Sequence, residues 1–391
     1  MSRRPFAPAR VAAPTVGVEE EFALADCRTR RAAPRARDVV NKARQQLGET
    51  HMTAEMSRVQ VESVSRVCRG GEELAAELER LRAGAANAAA QYDCLLVPSG
   101  TAVLGDPGPP PILDRPRYHA IQERFGPLTW NQCVNSCHVH VGVDNLEDAV
   151  QVSNHLRLWA PVMIALTANS PFCEGTDTEY ASWRSVLWDR WPSAGPPPFL
   201  HSAAHYEQVV ASLVGTGAAL DAAMIYWQVR PSRHVPTVEV RVADVMPDMA
   251  DTLAFALLVR ALVTVALDAV HDGQALPDVN DAVLRGACWQ AARWGLSGQL
   301  LDTSAPDLHP RPALQVVDRL WEHVAGRLEQ YADLAPVQAW LDRSERLGTG
   351  AERQRRIVRA NRGRLAAVVD ALAVPIADNR AASNATRRPA E

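Results

Sequence analysis

The sequence predicts an α+β fold in which one face of a β-sheet packs against helices. Three observations carry this. Four separated segments alternate valine with polar or ionisable residues at period two. Strand-like and helix-like segments are interleaved up to about residue 245. From about 250 to 373 the chain reads as helix, broken by a Pro-rich loop near 304–312 and by "GTGAERQRR" at 348–356. The 391 residues, 47% apolar and 22% charged, have the composition of a globular protein with room for one large domain or two ordinary ones.

In chain order, residues 1–13 are rich in Ala, Arg and Pro and are expected to form a disordered tail. Their opening, "MSRRPFAPAR", is basic but lacks the roughly 7–15-residue apolar core of a signal peptide. "TVGVEEEFAL" (15–24) follows as a strand. Successive side chains of a strand point to opposite faces, so Val16, Val18, Glu20, Phe22 and Leu24 share one face, and Gly17, Glu19 and Glu21 the other. Two carboxylates about 4 Å apart repel by about 4 kcal/mol at an effective dielectric near 20. Solvent, a basic side chain or a cation must offset that.

Residues 35–47 read as helix, and "SRVQVESVSRV" (57–67) alternates again, with Gln60 and Glu62 opposite Val59 and Val61. Residues 71–92 form a helix by periodicity and Ala content. "DCLLVPSG" is a short buried strand ending at Pro98, and "GDPGPPP" (105–111) is a loop. "NSCHVHVGV" (135–143) puts His138 and His140 opposite Val139, Val141 and Val143. A helix is expected over about 146–168. The stretch 170–198 reads as a long aromatic loop closed by prolines, and loops of that length are usually functional or disordered. "PTVEVRVADV" (236–245) alternates with Glu239 and Arg241 opposite Val238, Val240 and Val242. The run "DTLAFALLVRALVTVALDAV" (251–270) is apolar but interrupted by Asp251, Arg260 and Asp268, which suits a buried helix better than a membrane span. Residues 376–391 repeat the composition of a disordered tail.

The four polar faces share a chemistry. A merely solvated face would carry Lys, Thr, Ser and Gln; these carry Glu and His with one Arg. Carboxylates with an imidazole suit Mg²⁺ or Mn²⁺, whose charge makes clustered acids tolerable. Zinc at Cys133, Cys137, His138 and His140 is disfavoured, because adjacent Cys137 and His138 point oppositely in a strand and no second ligand pair is suitably spaced. Seven cysteines without a compact framework suggest reduced thiols in a cytoplasm. A net charge of −4 gives no basic field for nucleic acid. No GxxxxGK[ST] phosphate loop occurs, and a nucleotide held through metal ions needs none.

"TVGVEEEFAL", "CHVHVGV", "YASWRSVLWDRWPSAGPPP", "RPSRHVPTVEVRVADV" and "GTGAERQR" stand in the order found in the carboxylate–amine ligases similar to glutamate–cysteine ligase, the YbdK-type family. The resemblance runs from about residue 14 to 373. It implies a single catalytic domain over 14–375 with a glutamine-synthetase-like fold, in which a curved antiparallel sheet forms a funnel with helices on its outer face. It also implies ATP-dependent amide formation, γ-glutamyl bonds included, from small-molecule carboxylate and amine substrates, with release of ADP and phosphate.

Residue by residue, the resemblance places metal ligands at Glu19, Glu21, Glu55, Glu62, His138 and Glu239. His140 and Arg241 fall where nucleotide or acyl phosphates would be contacted. Arg353 and Arg355 are further candidates for phosphate. Within the 170–198 stretch, a candidate lid, Arg184 is expected to hold a substrate carboxylate while Tyr180, Trp188 and Trp191 shape the pocket. Neither nucleic acid nor a membrane is an expected partner, and the oligomeric state stays open, a homo-oligomer included. Two other readings use the same residues: a metal-dependent hydrolase of an amide or phosphate ester, with metal-bound water as nucleophile, and a non-catalytic small-molecule-binding relative.

Overall fold

The computed structural model describes residues 13–105, 109, 111–130, 133–305 and 307–376. The tails expected over 1–13 and 376–391 fall almost wholly outside these residues. A seven-stranded antiparallel sheet organises the chain: β1 (Val16–Asp26), β2 (Met52–Ala54), β3 (Gln60–Val64), β4 (Cys94–Val97), β5 (Ser136–Gly142), β6 (Val229–Pro231) and β7 (Thr237–Asp244). Its order is β6-β7-β5-β1-β3-β2, with β4 paired to the C-terminal end of β1. Every strand read from alternation lies in this sheet, and the long strand β1 pairs with β3, β4 and β5.

The valine face is closed by helices. Val16, Val18, Val139, Val141, Val238 and Val240 are buried in one apolar cluster with Phe255, Leu258 and Leu262 of the helix Met249–His271. That helix is long and apolar enough to cross a membrane by length and composition, yet it is mostly buried inside the protein. Of the charges that interrupt it, Arg260 is buried against Asp333 with its guanidinium over the ring of Tyr331. At the other end of β1, Phe22, Leu24 and Val61 pack with Val39, Val40 and Ala85 from the helices Ala36–Leu47 and Gly71–Ala90.

Glu20 shares this apolar face. Its carboxylate takes two hydrogen bonds from Arg82, at 2.6 and 3.0 Å, and one from the Thr252 hydroxyl at 2.7 Å. Arg82 also donates to the carbonyls of Met246 and Pro247. The three consecutive glutamates therefore divide by the strand's period: the middle one is a buried structural ion pair and the outer two face the opposite surface.

Two elements differ from their sequence expectation. The helix expected over 146–168 is Leu146–Leu156, a tight turn at Arg157–Trp159, and a second helix Ala160–Thr167. Pro161 sits in the first turn of the second helix, where its missing N–H costs nothing, and it cannot continue the first. The stretch 170–198 is no open loop. It contains the helix Trp183–Trp188, capped by the Ser182 side chain, and short strand pairs around it.

Candidate active site

The sheet's second face gathers the ionisable residues, and register explains how. Glu21 of β1 stands opposite Glu62 of β3, and Glu19 opposite His138 of β5. His140 is opposite Glu239 of β7, which is opposite Arg230 of β6. Two sets of ligand atoms result: those of Glu19, His138 and Glu239 lie within 4.8 Å of one another, and so do those of Glu21, Glu62 and His138. Mg²⁺ at about 2.1 Å from each ligand would need ligand atoms roughly 3.0–4.2 Å apart, so modest tightening suffices.

Polar contacts fix the side chains. His138 Nδ1 lies 3.1 Å from Glu19 Oε2, and its Nε2 lies 2.7 Å from the Ser136 hydroxyl. Ser136 donates to Glu21 Oε2 through both N–H and Oγ, at 2.7 and 2.6 Å. Glu239 is buried and receives Arg230 at 2.7 Å and Arg241. His140 Nδ1 meets the Thr237 hydroxyl at 3.0 Å, while its Nε2 is buried without a hydrogen-bond partner, 3.4 Å from Glu19 Oε1.

The electrostatics divide the acids into two groups. Burial alone would raise the pKa of Glu19, but the two imidazoles hold it far below the ordinary carboxylate range. Glu239 is likewise held well below, against its burial, by Arg241, Arg230 and the imidazoles. Glu55 and Glu62 go the other way. Burial, then the Glu21 charge, pushes Glu55 up to about 7; burial, then the charges of Glu55, Glu19 and Glu21, pushes Glu62 well above its usual value. His140 is raised by Glu19 and Glu239 against its burial, whereas burial and Arg241 lower His138. Five carboxylates with two guanidiniums, an orphaned buried imidazole nitrogen and two acids that resist ionisation fit a site for divalent cations. Glu19, Glu21, Glu62, His138 and Glu239 would hold them, with Glu55 adjacent.

Of the residues expected to read substrate, Trp188 is at the site: its ring lies 6.0 Å from the Arg241 guanidinium and 4.7 Å from the ring of Tyr226. Trp191 is buried behind it against Tyr226 and Phe125. Tyr180 is elsewhere, between Trp183 and Trp289 with Arg293 over its ring. Arg184 corrects its expectation. It is buried, and its guanidinium donates to the carbonyls of Arg241 and Val242 beside Asp244, so it positions β7 and offers no free fork to a substrate.

Arg353 and Arg355 are corrections too. Arg353 pairs with Asp248 and Asp251, and Arg355 with Asp177. Their motif is a clasp. Thr349 and Glu352 form a reciprocal capping box, and Gln354 donates to both oxygens of buried Asn169. A Cβ on Gly350 would stand 2.2 Å from Asn169 Oδ1. Asn169 is also held by Pro98, Val245 and Asp244, so it cannot move aside. Gly350→Ala is expected to destabilise the protein by about 1–3 kcal/mol, read as a lower urea midpoint; an unchanged midpoint contradicts the clasp.

Ser136, Arg230 and Tyr226 were not expected from the sequence. Ser136 could have been found, since it stands two residues before His138 on the same strand face. Arg230 and Tyr226 lie in segments with little alternation of their own.

The chain is similar to known proteins. The model of glutamate-cysteine ligase family 2 (GCS2) matches residues 15–371. A protein of Saccharopolyspora erythraea with the provisional name glutamate–cysteine ligase 2-1 is 45% identical over 368 residues, covering 94% of this chain and 96% of its own. A protein of Salinispora arenicola provisionally named glutamate–cysteine ligase 2 is 45% identical, covering 92% and 94%. Among solved structures, a Francisella tularensis glutamate–cysteine ligase in complex with AMP shares the fold at a TM-score of 0.70 and 12% identity, over 93% of this chain and 88% of that one. A bifunctional glutathione synthetase of Pasteurella multocida aligns at a TM-score of 0.62 and 14% identity, over 92% of this chain and 52% of that one.

Proposed function

The chain belongs to glutamate-cysteine ligase family 2, and from that premise we propose that it is an ATP-dependent carbon–nitrogen ligase whose reaction takes place over the acidic face of the sheet. The observation that carries this is the convergence of Glu19, Glu21, Glu62, His138 and Glu239 from four paired strands. Bound Mg²⁺ or Mn²⁺ would neutralise the nucleotide's β- and γ-phosphates.

The chain's own residues supply the rest. A carboxylate is a poor acyl donor, and phosphorylation by ATP turns its oxygen into a good leaving group. Arg241, fixed by Glu239, presents a permanent positive charge beside the acids for the transferring phosphoryl oxygens. His140, whose Nε2 has only the 3.4 Å approach of Glu19 and no well-formed hydrogen bond, can hydrogen-bond a phosphate oxygen. Trp188 and Tyr226 form an aromatic wall near Arg241 and shield an acyl phosphate from water until the amine attacks. The names of the relatives suggest glutamate as carboxylate and cysteine as amine.

The test is ADP release across a panel of carboxylate and amine pairs, glutamate with cysteine among them. Release is expected to require ATP, Mg²⁺ and both substrates, and to stop when EDTA removes the metal. Product formation without ATP would instead identify a metal-dependent hydrolase.

A further inference from the structure

The helix Trp183–Trp188 has two faces. Arg184 and Trp188, one turn apart, look toward β7 and Arg241. Ser185 and Asp189, also one turn apart, line a groove against the helix Asp281–Trp294. The groove has a volume of about 550 Å³, and Asp189, Arg190, Arg285 and Trp289 line it together with Ala282 and Gly286. No step of the ligase reaction uses it.

Its charged groups are set for a ligand. Asp189 enters no ion pair among the described residues, unlike the buried acids Glu20, Glu239 and Asp333, each of which has a direct arginine. The Gln228 amide reaches Asp189, while the Gln228 carbonyl oxygen takes the Cys288 thiol. Burial pushes Asp189 up to about 6, although Arg285 and Arg184 act to lower it. Arg285 is exposed and lies across Gly195: its Nη1 is 3.1 Å from where a Cβ would stand, and φ of +93° there disfavours any side chain. A carboxylate and a guanidinium thus border one groove without joining, beside the half-exposed indole of Trp289.

We propose that this groove binds a free α-amino acid, with its ammonium on Asp189, its carboxylate on Arg285 and its side chain along Trp289. An isolated anion would meet the Asp189 carboxylate, and an isolated cation would meet Arg285 and Arg190; a zwitterion satisfies both signs. Arg285, with Arg190 at the rim held by the Pro127 carbonyl, outweighs the one carboxylate and favours an acidic amino acid over a basic one. The groove is large enough for a complete side chain.

Isothermal calorimetry on the full chain, without nucleotide or divalent cation, tests this with L-glutamate, L-alanine and L-lysine. Binding is expected in the order glutamate, alanine, lysine. Asp189→Asn and Arg285→Gln should each weaken glutamate at least about tenfold, the loss of one charge-assisted contact. Ala282→Phe, an exposed change that fills the groove, should abolish binding, and Glu21→Gln should leave it intact. Arg285 and Ala282 are exposed, so those variants report even if Asp189→Asn fails to fold. No heat from any of the three amino acids overturns the proposal. So does unchanged affinity in Arg285→Gln and Ala282→Phe, or loss of binding in Glu21→Gln, which would put the ligand on the acidic sheet face. Because ATP is absent from this measurement, its failure is separate from a failure of the ligase reading.

Discussion

Glu21→Gln is expected to reduce ADP release by at least about 100-fold, the loss that removing even an outer partner of a metal ligand can cause, and to raise the Mg²⁺ concentration needed for what remains. The amide is nearly isosteric, so the fold should survive; its orientation does the damage. Ser136 donates two hydrogen bonds to one Glu21 oxygen. In the variant these donors select the amide carbonyl, and the NH₂ takes the place of the other carboxylate oxygen. A donor then stands where a cation needs an acceptor. The readouts are ADP release under saturating substrates and its Mg²⁺ dependence, with melting temperature as the control for folding. Full activity with an unaltered Mg²⁺ requirement would remove Glu21 from the metal site.

The faces of the strands were legible in the sequence because alternation is a local property. Val16, Val18, Glu19 and Glu21 declare their sides within a few residues. Which strands become neighbours is not local. The pairing of Glu19 with His138 and of His140 with Glu239 joins distant segments, and only the family resemblance anticipated that convergence. The arginines misled for a related reason. A guanidinium suits a phosphate and a buried carboxylate equally well, and the carboxylates that occupy Arg353 and Arg355 lie 102 and 178 positions away in the chain. Arg184 is a third case, since its partners are backbone carbonyls of β7 that no side-chain pattern announces. Glu20 shows the converse: its side of the strand was readable, but Arg82, which makes its burial tolerable, sits 62 residues on.

Glu62→Gln is expected to move stability and activity in opposite directions. Glu62 shares a crowded corner with Glu21 and Glu55, and burial together with these like charges pushes its pKa well up, as it pushes Glu55 up to about 7. A carboxylic acid whose pKa is raised by folding binds its proton more tightly in the native state. Without metal, the native protein should therefore lose stability as the pH rises from the ordinary carboxylate value of 4.5 up through the raised values. A glutamine mimics the protonated acid and does not ionise, so above the raised values the metal-free variant should be more stable than the parent by roughly 1–2 kcal/mol, part of the like-charge repulsion that is relieved. Its dependence on pH should flatten. Divalent cation stabilises the parent by binding the native state alone, and in the variant the increase in melting temperature with Mg²⁺ should shrink while ADP release falls at least about 100-fold, as for Glu21. Melting curves across about pH 5 to 9, with EDTA or Mg²⁺, separate the two effects. If the metal-free variant is less stable than the parent throughout, Glu62 is a structural hydrogen-bonding group and its crowding with Glu21 and Glu55 has no bearing on cation binding. If it is more stable and inactive, the protein keeps an energetically unfavourable group of carboxylates because the cation, when bound, supplies the missing charge.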